Sequence, residues 1–146
     1  MTVTRRHVIC ASASVAAFGL VGPGKAQQHV ADPGAITAEQ AEAEFVRGAD
    51  VSEGGVTIDL PDLVDDGYRV LVKLDAPGVS ELMLIAPGNP IPPILNVTFG
   101  AGSASRRVTS RMRLGQSQTV IALARMPNGT VRRATHDVQV LVGGCG

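Results

Sequence analysis

Thr119-Val-Ile-Ala-Leu-Ala-Arg-Met-Pro-Asn-Gly-Thr-Val-Arg-Arg-Ala-Thr-His-Asp-Val-Gln-Val-Leu-Val142 is the stretch that decides the fold. Two runs rich in β-branched and apolar residues, Thr119 to Met126 and Val131 to Val142, flank Pro127-Asn128-Gly129. An Asn-Gly pair between two such runs is the strongest short-range sign of a β-hairpin, because both residues tolerate the positive φ that a tight reversal requires. In the second run Val138, Val140 and Val142 fall on one face. The chain here is therefore read as strand, turn, strand.

Working outward, the same style recurs at Arg107 to Leu114, Leu95 to Phe99, Glu81 to Ile85, Tyr68 to Leu74 and Val56 to Leu60. Tyr68, Val70, Val72 and Leu74 share one side by period-two alternation, and Pro61 stops the Val56 run. Ala76-Pro77-Gly78, Pro87-Gly88-Asn89-Pro90 and Gly100-Ala101-Gly102 supply turns between the runs. One helix is expected, opening at Thr37 as N-cap with Gln40 at the capping-box position. About seven short strands with regularly spaced turns and one helix predict an all-β fold, an immunoglobulin-like antiparallel β-sandwich with a short N-terminal helix. The segment from Pro87 to Pro93, with Ile91, Ile94 and Leu95 beside prolines that cannot donate to a ladder, is expected as an edge or interface element, and an apolar patch that a partner covers is expected there or on an outward sheet face.

The first 26 residues have a different character. Thr4-Arg5-Arg6, a weakly apolar stretch from Val8 to Gly22, and Gly24-Lys25-Ala26 have the layout of a twin-arginine signal peptide cleaved near Ala26. The stretch is too short and too polar for a membrane span, so periplasmic delivery with no membrane contact after cleavage is expected. The expected organisation is 1–26 as leader, 27–142 as the sandwich with its helix, and 143–146 as a separate arm. Cleavage removes Cys10 and leaves Cys145 as the one cysteine, which cannot form an internal disulfide.

Charge is uneven along the chain. Residues 27–90 hold twelve acids against Arg47, Arg69 and Lys73, whereas 91–146 hold seven arginines against Asp137. The balance without the leader is 10 minus 13, about minus three, which argues against nucleic acid as a partner. Acidic and basic strands pairing in the sheets account for most of this asymmetry, while a basic face toward the C-terminus is the sharper alternative.

No conventional active site assembles from these residues. His136 lies in the last strand between Thr135 and Asp137, where it could orient against a carboxylate, but no second ligand stands at metal spacing. Asp65 and Asp66 read as a solvated turn, and Gly54-Gly55 lacks the lysine and helix of a phosphate cradle. No catalytic residue, metal site or cofactor is assigned.

The terminus is distinctive. The Val131 run stops in Gly143-Gly144-Cys145-Gly146, where three glycines surround one thiol. Glycine samples dihedral space freely and adds no bulk, so this is a thin tether bearing a nucleophile, with a reach on the order of 13 Å. A carboxylate one residue beyond the sulfur disfavours the thiolate, which suits a thiol loaded by a partner. The competing readings are a β-sandwich binding module with an incidental cysteine, and a thiol-dependent sulfurtransferase, for which a tether is poorly preorganised.

Asn89-Pro90-Ile91-Pro92, Val97-Thr98-Phe99, Ser110-Arg111-Met112-Arg113-Leu114, Ser117 to Ala124, Met126 to Gly129 and the terminal Gly-Gly-Cys-Gly together resemble the SoxY family, the sulfur-carrying subunit of the SoxYZ complex of thiosulfate oxidation. The resemblance implies a carrier that is not an enzyme, with thiosulfate-derived intermediates bound covalently at Cys145. It implies as partners a SoxZ-like β-sandwich in a heterodimer, a haem-containing enzyme that loads thiosulfate, a metal-dependent hydrolase that releases sulfate, and in many systems a sulfane dehydrogenase. The family commonly carries two glycines after the cysteine; here only Gly146 follows Cys145.

Overall fold

The computed structural model describes residues 36–141. The leader read at 1–26 and the arm at 143–146 lie outside the described residues. Helix α1, Ala38–Val46, begins at the expected cap: Thr37 Oγ1 accepts from Gln40 N, and Thr37 N donates to Gln40 Oε1 at 2.9 Å. Two orphan amides of the first turn are thereby satisfied reciprocally. Arg47 in the left-handed region, φ 50°, ends the helix.

Nine strands follow among the described residues: β1 Val51–Glu53, β2 Thr57–Asp59, β3 Leu63–Val64, β4 Val70–Asp75, β5 Glu81–Ile85, β6 Pro93–Thr98, β7 Arg107–Met112, β8 Gln118–Arg125 and β9 Val131–Val140. The larger sheet runs β1-β9-β8-β5-β6 with β3 also on β9, and the smaller runs β2-β4-β7. This is the expected sandwich, with two strands added to the seven read from sequence. Both additions, β1 and β3, pair with β9 in parallel, Val51 opposite Val131 and Val64 opposite Val140, while the other ladders are antiparallel. Segments of three and two residues are too short to display alternation, and their partner is distant in the chain. Nothing local announces them.

The β8-β9 hairpin pairs from Arg125 opposite Val131 to Gln118 opposite Val138. Its turn differs in detail from a two-residue Asn-Gly reversal. Met126 N donates to Thr130 O at 2.8 Å, enclosing Pro127, Asn128 and Gly129, and only Gly129 of these has positive φ, at 89°. Asn128 instead accepts from Thr130 N through its side chain. Proline fixes the first turn residue and glycine supplies the left-handed one, giving a three-residue loop.

The inner face of the larger sheet, with Leu82, Leu84, Val120, Ala122 and Val138, meets Val70, Val72, Leu74 and Met112 of the smaller one. Its outer face carries Ile85, Ile121, Leu123 and Val131, which α1 covers with Ala38, Ala41 and Phe45. Burial on both faces explains why Val120 to Ala124 is continuously apolar instead of alternating. Strand β4 starts two residues later than read: Tyr68 sits in the preceding turn, 65% exposed, and does not join Val70 inside. At the edge, β6 is half-buried at Ile94 and Leu95 against the core, so the expected apolar patch narrows to Ile91, 67% exposed.

Phe45 is the largest side chain that α1 puts into this outer core. Phe45→Ala is expected to cost about 3–5 kcal/mol, measured by urea unfolding.

Candidate functional site: the end of the last strand

The last two turns of the β9 ladder are held from both sides. Gln139 N donates to Asp62 O at 2.8 Å and Leu141 N to Val64 O at 2.9 Å, on the β3 side. On the β8 side Val140 N donates to Ser117 Oγ at 2.9 Å. The hydroxyl of Ser117 thus continues the β8 ladder one step past its backbone. Leu141, half exposed, is the last described residue, and the sequence-predicted Cys145, Gly143, Gly144 and Gly146 lie outside the described residues. What the structure shows is a fixed root from which those residues continue.

A groove of about 490 Å³ lies beside this root, lined among others by Asp65, Asp66, Tyr68, Arg113, Leu114 and Leu141. Its floor depends on a close approach. Leu114 N donates to Gly67 O at 2.8 Å, and a Cβ on Gly67 would stand 2.0 Å from Leu114 O and 3.3 Å from Val140 Cγ1. Only glycine fits there. Asp66 accepts from Tyr68 N at 2.8 Å, and the Arg113 guanidinium lies over the Tyr68 ring, 4.5 Å from its centroid. Stacking of this kind restrains two long side chains that would otherwise roam.

His136 meets a carboxylate, from Asp62 and not from its neighbour: Nε2 lies 3.0 Å from Asp62 Oδ1, at an angle that makes no aligned hydrogen bond. Asp137 faces the other way and accepts from the Thr119 hydroxyl. Among the described residues no nucleophile hydrogen-bonds to the imidazole, and no three His, Cys, Asp or Glu side chains gather as a ligand set. Asp65 and Asp66 are exposed, as a solvated turn requires.

Contacts between the two halves pair three of the seven arginines of 91–146. Arg107 meets Asp75 at 2.8 Å, Arg125 meets Glu81 at 3.4 Å, and Arg133 meets Glu42 at 2.9 Å and Glu53 at 3.5 Å. Donating to Glu42 holds the Arg133 pKa above its ordinary value. Arg111 and Arg113 form no ion pair among the described residues. Ser117, Gly67 and the Tyr68–Arg113 stack were not singled out by sequence, since each acts through a residue far along the chain.

The family model described as "Sulfur oxidation protein SoxY" matches residues 42–145, a span that holds both the root and Cys145. The chain belongs to the SoxY family. Among solved structures, the SoxY-family fold seen here is similar to that of the sulfur carrier protein SoxY from Chlorobium limicola f. thiosulfatophilum, at 21% identity and TM-score 0.62 over 70% of this chain and 94% of that one. A superoxide reductase (neelaredoxin) from Ignicoccus hospitalis is similar at 20% identity and TM-score 0.52 over 73% of this chain and 94% of that one. At these identities the likeness is one of fold. No curated protein matches the chain.

The root yields two expectations. Gly67→Ala forces Leu114 or the Asp65–Tyr68 turn to move and should cost about 1–3 kcal/mol, whereas Gly102→Ala, with open space around it, should change urea unfolding little. Ser117→Ala removes one acceptor, worth about 1 kcal/mol, so hydrogen exchange at Val140 should accelerate while Val138 stays protected.

Proposed function

We propose that this chain carries thiosulfate-derived sulfur covalently on Cys145 in the periplasm and presents it to sulfur-oxidising enzymes. Membership of the SoxY family makes it a carrier and not a catalyst. The observation that carries the finer reading is the position of Cys145 within the family match, five residues past the end of β9, which Val64 and Ser117 clamp. A rigid root followed by Gly143 and Gly144 transmits no strain from the thiol to the sandwich, and it confines the sulfur to a short radius.

The chemistry balances as follows. The Cys145 thiolate joins the outer sulfur of thiosulfate, and the two electrons released pass to a haem-containing partner, leaving a cysteinyl-S-S-sulfonate. Water then attacks the sulfonate sulfur in a metal-dependent hydrolase, which releases sulfate and a proton and leaves a persulfide on Cys145. In systems with a sulfane dehydrogenase that persulfide is oxidised in turn. The carrier supplies the sulfur nucleophile and the reach, and its partners supply electrons, metal and water activation.

A SoxZ-like β-sandwich is the constant companion in this reading. The twin-arginine leader delivers the chain folded, together with that passenger. Carriage needs no resident cofactor beyond the bound sulfur itself.

Cys145→Ser tests the assignment. Serine neither forms disulfide-like bonds nor ionises near neutral pH, so intact-mass measurement after incubation with thiosulfate and the loading enzyme should show adducts on the native chain and none on the variant. Stability should change by no more than about 0.5 kcal/mol. An adduct on the serine variant, or continued thiosulfate turnover, assigns the cysteine no part and leaves a β-sandwich binding module.

A further inference from the structure

The surface that a receiving enzyme can touch is set by length. Cys145 lies four residues past Leu141, and four extended residues span at most about 14 Å. An enzyme that encloses the sulfur must therefore meet the body of the domain around the end of β9. The groove at that place is lined by Asp65, Asp66, Tyr68 and Arg113 among others, with Tyr68 N donating to Asp66 at 2.8 Å.

The basic part of that lining continues onto the outward face of the smaller sheet. Along β4 and β7 the register sets Asp75 opposite Arg107, Lys73 opposite Thr109 and Leu71 opposite Arg111. At the far end, charges are neutralised in place, Asp75 by Arg107 and Asp59 by Lys73 at 3.0 Å. Toward Leu141 the pattern changes. Arg111 and Arg113 have no carboxylate among the described residues, Leu71 beside Arg111 is 41% exposed, and Tyr68 under Arg113 is 65% exposed. Strand β7 is also a sheet edge. Arginine and tyrosine, here held by stacking, are residue types that concentrate binding energy at protein interfaces.

Resting on the carrier reading, we propose that Arg111, Arg113, Tyr68 and Leu71 form the docking surface for an acidic rim around the pocket of the enzyme that loads Cys145. Unpaired guanidiniums select acidic partners and speed encounter, while Asp65 and Asp66 in the same groove repel an acidic rim and so restrict how it can approach. The cargo takes no part in this contact. Partners are recognised whether or not the thiol is loaded.

The test uses the full carrier with its companion subunit and the haem-containing thiosulfate-loading enzyme, with carrier concentration varied and the adduct on Cys145 read by mass. Arg111→Glu with Arg113→Glu should raise KM for the carrier about tenfold with kcat unchanged, and should flatten the decline of kcat/KM with salt. Arg111→Lys with Arg113→Lys should restore the salt dependence, and Lys73→Gln, on the same face but already paired, should leave KM as it was. Unchanged KM and salt dependence in a loading-competent double variant overturns the proposal. So does a fall in kcat alone, which places the arginines in cargo handling, and so does loss of the companion from the purified variant, which assigns the patch to that subunit. If the native chain takes up no adduct, the carrier reading itself fails and the docking surface falls with it.

Discussion

The backbone ladder of β9 is the interaction on which the other features depend. Ten residues long, it pairs with β8 along one edge and with β1 and then β3 along the other. Its side chains serve both layers at once, with Val131 under α1 and Val138 between the sheets. A backbone amide left without a partner in a strand paired on both edges costs the desolvation of the group. Its neighbours are therefore fixed by satisfaction of donors and acceptors as much as by apolar contact. The end that leads to Cys145 inherits this rigidity.

How far the sequence discloses this architecture depends on how local each cause is. The cap at Thr37 and Gln40, the strands from Glu81 to Ile85 and from Gln118 to Arg125, and the reversal at Pro127 to Gly129 follow from residues that touch their near neighbours, and they are legible in order. Tyr68 obeys the same alternation as Val70 and Val72, yet it lies outside the strand because Gly67 must close on Leu114, 47 positions away by number. The parallel pairings of Val51 and Val64 with β9 are equally invisible, since parallel contacts need a partner that no short window contains. Ile94 and Leu95 read as exposed because prolines surround them, but β6 still turns them onto the core.

The candidate site divides along the same line. Cys145 with its glycines stands out by composition, because a thiol without bulky neighbours is unusual chemistry in any chain. The devices that serve it do not stand out. Ser117 is one serine among several until its hydroxyl is seen to accept from Val140, and Arg113 is one arginine of seven in its half until its guanidinium is seen over the Tyr68 ring. Sequence proposes the thiol, and geometry identifies the groups that hold the end of β9.

The union of β1 and β3 with β9 also governs how the domain comes into being. Residues 51–64 supply two strands whose hydrogen-bonding partner spans 131–140, so loops of some eighty residues close before those ladders can form. During synthesis the earlier strands emerge with their central neighbour missing, and the apolar residues of β5 and β8 stay uncovered until it arrives. Such a fold forms as one late, cooperative event of high contact order, slower than a helical bundle of equal length. For the cell, that interval is the period in which a chaperone has most reason to hold this chain.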